Sequence, residues 1–319
     1  MTGREDFSPV RTLTVDSEHS GRRLDNLLGS LLTGLPVGRI YSMIRRGEVR
    51  LNGRRCRAHS RVAEGDRLRL PPVRLGGGDA PGAPQTRRSE ALSGRILHRD
   101  RSLIVLDKPA GLAVHGGSNQ GAGGVIERLR AELGEDTLQL VHRLDRDTSG
   151  VLLIARRHSA LRRWHDLLRS RRVRKTYRLL VHGDWPDSRR RVEQPLRRGV
   201  DLSGDVQVSP AGAPAVSEFE LISRYASGYS ELLARPRTGR THQLRVHATS
   251  AGCPIVGDAR YGDAELNRRS RRALGLRRMF LHAESIAATV DGERTEFSAP
   301  LPDELRDCLK RLQKRDAGQ

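Results

Sequence analysis

The segment that decides the fold of this chain is HRLDRDTSGVLLIAR, residues 142–156. Its second half, Val151 to Ala155, is short, apolar and partly β-branched, a pattern that predicts a strand buried on both faces. Gly150 allows the backbone to turn sharply into that strand. Asp145, which has an arginine on each side, is therefore expected in a loop held by a rigid strand. Loops in such positions commonly carry functional residues.

The composition favours a polyanionic partner. The chain has 319 residues, a length that predicts about two domains, and its 58 basic residues exceed its 38 acidic ones by 20. Only Lys108, Lys175, Lys310 and Lys314 among the basic residues are lysine. Arginine is the better residue for bidentate phosphate contacts and for stacking on bases. Nucleic acid is therefore the first partner to consider.

Cysteine usage and hydropathy limit the other classes of protein. Cys56, Cys253 and Cys308 lie far apart and match no metal-binding spacing, so we expect neither a disulfide framework nor a zinc site. The N-terminus has no apolar segment after its charges, which argues against a signal peptide. The longest weakly charged run, Leu27 to Gly38, is too short and too broken by glycine to span a bilayer. We expect a cytoplasmic monomer without a membrane anchor.

Residues 10–73 have the pattern of a small α/β domain. Leucines from Leu24 onward keep helical spacing, a second helix is expected to end at Gly47, and a strand then leads into Asn52-Gly53, a strong hairpin signal. This order of elements resembles the small RNA-binding domain named after ribosomal protein S-four. The crowding of arginines beside the hairpin favours RNA contact over a merely solvated helix face. These arginines are Arg39, Arg45, Arg46 and Arg50.

A linker and a second domain follow. Residues 74–95 carry glycine, proline, alanine and serine with no apolar period, which predicts a flexible linker. The second domain is expected over residues 96–312, where strand patterns outnumber helical ones. We therefore predict an α+β domain with a mostly antiparallel sheet.

Local patterns predict several elements of the second domain. Tyr177, Leu179 and Val181 alternate in a strand and share one of its faces. An arginine-rich run, residues 169–174, precedes that strand. The other main elements are a strand over 103–106, a helix with Leu161, Trp164 and Leu168 on its buried face, a helix over 241–250, a strand over 280–289 and a closing helix over 302–312.

A glycine-rich loop covers residues 116–124. Such loops can hold phosphate, but this one lacks the terminal Gly-Lys-Ser/Thr of a nucleotide-binding loop and has no dinucleotide-binding spacing. A mobile loop over a substrate is the better interpretation.

Three motifs stand together in the second domain: HRLDRDTSG at 142–150, KTY at 175–177 and RTGRTHQLRVH at 237–247. In this combination the chain resembles the pseudouridine synthases of the large-subunit ribosomal group, over about residues 10–310. The resemblance implies that Asp145 is the catalytic carboxylate, that Tyr177 lines the uracil pocket and that Arg245 pairs with Asp145. It further implies that Arg143 fills the space left by a flipped nucleotide, and we count Arg240 of the third motif among the RNA contacts.

The reaction of that family needs only one catalytic carboxylate. Converting uridine to pseudouridine breaks the N1–C1′ bond, turns the base and rejoins it through C5, so no electron or group is gained and no cofactor or metal is expected. Uracil leaves as a resonance-stabilised anion, unlike the poor alkoxide leaving group that makes most glycosidases use two carboxylates. An unperturbed aspartate is ionised at neutral pH. Attack of Asp145 on the sugar, attack on the base and assistance of elimination to a glycal all stay open.

Two other functions deserve comparison with uridine isomerisation in large-subunit (23S) ribosomal RNA. Residues 145–148, Asp-Arg-Asp-Thr, are similar to the acidic pair of a metal-dependent phosphotransferase, but that pattern needs one more residue before the threonine and an apolar strand directly before the first aspartate. A non-catalytic ribosome-associated RNA-binding protein is the alternative function. It explains the first domain and leaves Asp145, Tyr177 and Arg245 without a role.

Overall fold

The computed structural model describes residues 10–17, 19–32, 35, 37–72, 91–116, 123–199 and 205–318. These residues form two compact units. The first unit contains the described residues up to 72 together with the short segments 135–137 and 157–159. The second contains the rest of the chain from residue 91 onward.

The first unit is a four-stranded antiparallel sheet with two helices. Its strand order is β1-β4-β2-β3, and leucines and isoleucines of both helices form its core with strand residues such as Leu68. Asn52 and Gly53 both have positive φ, 52° and 76°, as a two-residue type I′ hairpin requires, so the predicted turn is confirmed. The elements are β1 (Arg11–Thr14), α1 (Leu24–Leu31), α2 (Val37–Arg46), β2 (Arg50–Leu51), β3 (Arg54–Arg55) and β4 (Arg67–Leu70).

The second unit is built on a large mixed sheet. Its strands follow the order β10-β13-β14-β9-β15-β8-β6-β5, with β16 beside β15 and β7 beside β8. Within the described residues every pair is antiparallel except β15 with β8, which confirms the predicted α+β class. A two-stranded sheet, β11-β12, lies apart from the large one.

The bounds of its elements follow chain order. The strands are β5 (Ile96–Arg99), β6 (Leu103–Lys108), β7 (Gln139–Leu140), β8 (Ser149–Ala155), β9 (Arg174–His182), β10 (Arg189–Glu193), β11 (Leu196–Arg198), β12 (Val206–Val208), β13 (Val216–Tyr225), β14 (Tyr229–Pro236), β15 (Leu281–Val290) and β16 (Glu293–Ser298). The helices are α3 (Val125–Leu133), α4 (His158–Arg169), α5 (Gln243–Ser250), α6 (Ala264–Leu274) and α7 (Asp303–Ala317).

Strand β8 is buried along its whole length, as predicted. Val151 and Leu153 pack on one face with the apolar side of α4, and Leu152 and Ile154 pack on the other face with α3. Because both faces are covered, the strand is a fixed support for the loop that precedes it. The loop of Asp145 is thereby anchored in the centre of the unit.

The predicted linker ends earlier than expected. Residues 92–95, assigned to the linker by composition, form a 3₁₀ helix, and Leu92 is buried. The carboxylate of Glu132 on α3 accepts hydrogen bonds from the backbone N–H groups of Leu92 and Ser93, at 3.1 and 2.8 Å. Local composition does not reveal such tertiary hydrogen bonds, so the end of the linker was predicted too late in the chain. Residues 73–90 lie outside the described part of the chain.

Other element boundaries differ slightly from their predictions. Helix α5 begins at Gln243 and not at residue 241, because His242 has a positive φ of 53°. On α4 the buried residues include Leu161, Trp164 and Leu167, whereas Leu168 is only partly buried. The closing helix α7 runs on to Ala317. Most of the glycine-rich loop, residues 117–122, is outside the described ranges.

Candidate active site

Lys108, at the end of β6, ties down the loop that carries Asp145. Its ammonium group donates to the carbonyl oxygens of Pro109, Leu112 and Arg146, at 2.8, 2.7 and 2.9 Å. The side chain is fully buried, and burial lowers its pKa to about 7. The three donors of the ammonium are matched by three carbonyl acceptors, so the group is held without a direct carboxylate bond. The backbone directly after Asp145 is thereby fixed to the turn after β6.

A buried hydrogen-bond chain fixes the other end of the loop. Arg278 donates to the hydroxyl oxygen of Ser149 at 2.6 Å. The Ser149 hydroxyl lies 2.9 Å from Nδ1 of His282, and Nε2 of His282 lies 3.2 Å from the carbonyl oxygen of Ala299. Because the Ser149 oxygen accepts from Arg278, the Ser149 hydroxyl donates its proton to Nδ1 of His282. The Nε2–H group of His282 then donates to the carbonyl oxygen of Ala299. Burial lowers the pKa of His282 to about 4, in keeping with this neutral imidazole.

Asp145 faces a buried guanidinium group that serves a second carboxylate. Nη1 of Arg245 lies 3.6 Å from Oδ2 of Asp145, while Nε and Nη2 donate to the two oxygens of Asp258 at 2.7 Å each. Burial raises the pKa of Asp258, but the hydrogen bonds from Arg245 outweigh it and keep that pKa below its ordinary value. The bidentate pair orients the guanidinium plane, so Asp145 meets its remaining edge.

His242 completes the polar side of the site. Its Nε2 is 3.9 Å from Oδ2 of Asp145, and its Nδ1 is 2.8 Å from the hydroxyl of Tyr261. The Tyr261 oxygen already accepts from the backbone N–H of Val206 at 2.9 Å, so its proton is free to go to Nδ1. Burial lowers the pKa of His242, and this neutral form carries its proton on Nε2, facing Asp145. The positive φ of His242 is a strained conformation for a non-glycine residue, of the kind that clusters at functional sites.

A small pocket of about 120 Å³ brings the sequence-predicted residues together. Tyr177 of β9 is half-buried and lines this pocket together with Leu281 and Asp145. Burial, and then the charge of Asp145, raise the pKa of its phenol well above the ordinary value, and its hydroxyl makes no hydrogen bond with the described part of the chain. The predicted residues that line this pocket are Arg143, Asp145, Tyr177, Arg240 and Arg245.

A larger cleft of about 1160 Å³ is also lined by Asp145. Arg143, Asp145, His242 and Arg245 line both the cleft and the small pocket. The arrangement can therefore hold one planar, uncharged group beside the carboxylate while a longer charged chain occupies the cleft.

The other predicted RNA contacts lie in the first unit. Arg39 and Arg46 both approach Glu48, at 3.1 and 3.9 Å, and Arg45 is exposed on the last turn of α2. Arg50 is half-buried at the start of β2. They form a basic surface on α2 and its exit.

Sequence reasoning missed the carboxylate that holds Arg245 most closely. Asp258 lies in the segment Gly257-Asp258-Ala259-Arg260-Tyr261-Gly262, a turn with no element pattern of its own. The signal was present in the composition of that segment: an aspartate between two small residues, followed by an aromatic and a glycine. Lys108 and His282 were also missed as anchors, because each acts on a segment distant in sequence.

The described residues contain neither a candidate metal cluster nor a candidate membrane-spanning helix. They bring together no group of three or more His, Cys, Asp or Glu side chains that could hold a metal ion. None of their helices combines the length and the apolar character needed to cross a membrane.

Comparison with known families and proteins agrees with the motifs. The model of the RNA pseudouridylate synthase family matches residues 102–250, and that of the S4 domain matches residues 22–68. The chain is 42% identical to ribosomal large subunit pseudouridine synthase C of Escherichia coli, over 95% of this chain and 97% of that protein. It is 43% identical to the protein of the same name from Haemophilus influenzae, over 96% of both chains.

A solved structure has the same fold over a large part of this chain. Human RNA pseudouridylate synthase domain containing 4 superposes with a TM-score of 0.59 at 28% identity, covering 70% of this chain and 94% of that one. On the strength of the shared motifs, the near full-length identity and the common fold, this chain belongs to the RNA pseudouridylate synthase family.

Proposed function

We propose that this protein converts specific uridines of large-subunit (23S) ribosomal RNA to pseudouridine, with Asp145 as the catalytic carboxylate. The names of its relatives support the RNA class, and the S4 domain match supports a separate RNA-binding unit. A net charge of +20 suits a polyanionic substrate.

In this proposal the small pocket holds the target uracil after it has left the base stack. The ring of Tyr177 offers an aromatic face, and stacking of a flipped base on such a face contributes roughly 1–3 kcal/mol. Leu281 gives the same pocket an apolar wall. Uracil is planar and uncharged, so it suits a pocket in which Asp145 is the only carboxylate among the described lining residues.

Arg245 keeps Asp145 charged and in place as the base covers it. A bound base removes water from the carboxylate, and desolvation favours the neutral acid. The guanidinium edge at 3.6 Å counteracts this tendency. Because Asp258 fixes Arg245 from the other side, the carboxylate meets a preorganised partner and needs no rearrangement during the reaction.

The arginines of the first unit supply affinity and choice of site in the same scheme. Arg39, Arg45, Arg46 and Arg50 contact phosphates, while Arg143 and Arg240 contact the RNA beside the pocket. Asp145, Tyr177 and Arg245 already meet in one pocket within a single chain, so we expect a monomer to suffice; sedimentation of the active protein would test that.

The observation that carries the proposal is the meeting of Asp145, Tyr177 and Arg245 in one pocket from three separate motifs. The test is Asp145→Asn, which keeps the shape of the side chain and removes its charge. We expect RNA binding to survive, because phosphate contacts supply most of the affinity, and pseudouridine formation in a 23S transcript to become undetectable.

Asp147→Asn is the matched control, since the Asp147 carboxylate is partly exposed in the same loop, pairs with Arg146 at 3.1 Å and does not line the small pocket. It should retain turnover. Wild-type turnover in Asp145→Asn would refute the assignment of Asp145. Tight binding without any pseudouridine from the wild-type protein would favour the non-catalytic RNA-binding alternative.

A further inference from the structure

The small pocket proposed to hold uracil is called the uracil pocket below. A second depression adjoins it and differs from it in having cationic side chains but no carboxylate among its described lining residues. It has a volume of about 280 Å³ and shares Arg143, Lys175 and Gly239 with the uracil pocket. Its cationic residues are Arg143, Arg171, Lys175 and Arg237, and no carboxylate occurs among the described residues that line it. We refer to it as the basic depression.

Three of those cations have no acidic partner. Arg143, Arg171 and Lys175 make no ion pair with any carboxylate in the part of the chain that the structure describes, whereas Arg237 pairs with Glu218 at 2.8 Å. Most other arginines of this region are also paired, for example Arg235 with Glu220 at 2.7 Å. Arg143, Arg171 and Lys175 thus form a group of cations beside the uracil pocket that have no carboxylate partner among the described residues.

Lys175 occupies the central position. It lines the uracil pocket, the basic depression and a third hollow beyond it, where Arg191 and Arg235 also lie. It is half-buried and stands two residues before Tyr177 on β9, so both side chains point to the same face of the strand. Burial lowers the pKa of Lys175, and no carboxylate lies among the described residues that line the basic depression with it.

A partly desolvated cation without a partner costs stability unless a ligand supplies the opposite charge. We propose that the basic depression binds a backbone phosphodiester adjacent to the flipped uridine, with Lys175 and Arg171 as its cationic ligands. This inference rests on the proposed function for the identity of the RNA. It adds the path of the RNA strand, which leaves the uracil pocket past Lys175 and toward Arg171.

Lys175→Met tests the proposal, since methionine keeps much of the length and removes the charge. The protein should fold with an unchanged or higher Tm, because an uncompensated cation has been removed. Its Kd for a 23S transcript should rise about tenfold, the loss of one charge-assisted contact. The slope of log Kd against log salt should fall by about 0.7, the value for one phosphate on a single strand. KM should rise while kcat stays near the wild-type value.

Two further variants provide a second test and a control. Arg171→Gln changes an exposed side chain and cannot plausibly unfold the protein, and it should lower the salt slope by a similar amount. Lys314→Met removes an exposed lysine near the end of α7 and should leave Kd and slope unchanged. A wild-type Kd and slope in both Lys175→Met and Arg171→Gln would overturn the proposal.

Neutral linkages locate the phosphate. Once the wild-type protein has marked its target uridine, an oligonucleotide spanning that site is made with one methylphosphonate at a time. One linkage next to the target should weaken wild-type binding about tenfold and leave Lys175→Met binding unaffected, because the two changes remove the same contact. Equal effects on both proteins at every linkage would contradict the assignment. If the wild-type protein forms no pseudouridine, the proposed function fails, and the transcript Kd and salt slopes still decide whether the depression binds RNA.

Discussion

Arg245 links two carboxylates, Asp258 and Asp145, through different edges of one guanidinium group. Two hydrogen bonds of 2.7 Å go to Asp258, and the remaining nitrogen, Nη1, lies 3.6 Å from Asp145. The shorter contacts of Arg245 are therefore its two hydrogen bonds to Asp258, a carboxylate that no sequence motif had indicated. Asp258 is a positioning residue for the arginine, and through it for Asp145.

Asp258→Asn should reduce turnover without weakening RNA binding. The buried arginine loses its bidentate partner, so its position relative to Asp145 is no longer fixed, and we expect kcat to fall at least about tenfold. Removing one partner of a buried pair also costs about 3–5 kcal/mol in the free energy of unfolding. Single-turnover kinetics with parallel binding measurements test this. An Asp258→Asn protein that melts early but turns over normally would limit Asp258 to stability.

Arg245→Met and Asp145→Asn should not have additive effects on turnover. Both changes act on one carboxylate, so the double variant should be no slower than Asp145→Asn alone. The comparison is made on single-turnover rates, with residual activity quantified from the amount of pseudouridine per RNA. A double variant that is much slower than Asp145→Asn would show that Arg245 acts on the substrate by itself.

Tyr177→Phe and Tyr177→Ala should separate the ring from the hydroxyl. The hydroxyl makes no hydrogen bond with the described residues, so the phenylalanine variant should keep most of the wild-type turnover. The alanine variant loses the stacking face, about 1–3 kcal/mol, or roughly 5- to 150-fold in kcat/KM. Loss of activity in Tyr177→Phe as severe as in Tyr177→Ala would instead assign the chemistry to the phenol.

Stability should fall as the pH drops below neutrality. Burial lowers the pKa of His282 to about 4 and that of His142 to about 3, whereas a histidine in the unfolded chain titrates near 6.5. Above pH 6.5 both are neutral in either state, and their contribution is complete. Between about 6.5 and 4 only the unfolded state takes up protons, so each histidine lowers the free energy of unfolding by up to about 1.4 kcal/mol per pH unit.

The test compares denaturant unfolding of the wild-type protein and His282→Gln between pH 7 and pH 5. Both tryptophans, Trp164 and Trp185, lie in the second unit, so their fluorescence reports the unit that contains His282. The variant should be less stable at pH 7 and lose less on acidification. Identical pH dependence in both proteins would count against a role for His282.

Local patterns predicted the parts of this fold that depend on neighbours in sequence. The apolar run at Val151 predicted β8, alternation placed Tyr177 on the face of Leu179, and Asn52-Gly53 predicted the hairpin, because each depends on a period or a turn geometry of a few residues. The contacts that fix the site are of another kind. Ser149 and His282 are separated by 133 positions, and Lys108 and Arg146 by 38. No pattern within a short window contains such pairs.

The predicted pairing of Arg245 shows the same limit at closer range. The motif resemblance supplied its contact with Asp145. It did not supply Asp258, which is 13 positions away and reaches the arginine only because the turn after α5 folds back. Composition alone likewise assigned residues 92–95 to a linker, whereas hydrogen bonds to Glu132 make them part of the second unit.

Gly150→Ala should disrupt the site through the backbone. Gly150 has a φ of 111°, and a Cβ atom there would lie 2.1 Å from the carbonyl oxygen of Ala283, its partner in the parallel pair of β8 and β15. Neither atom can move without separating the strands, and β8 carries the loop of Asp145. We expect a loss of several kcal/mol in the free energy of unfolding, beyond the range of ordinary surface changes.

Gly94→Ala is the control for this change, because nothing lies within 4 Å of a Cβ built there. Thermal melting and single-turnover pseudouridine formation are measured on both variants. In any folded fraction of Gly150→Ala, turnover should be lost while RNA binding through the first unit persists, since the displaced loop belongs to the second unit alone. If Gly150→Ala melts and turns over like Gly94→Ala, the parallel pair does not position Asp145, and the loop must be held by the hydrogen bonds of Lys108 and Ser149.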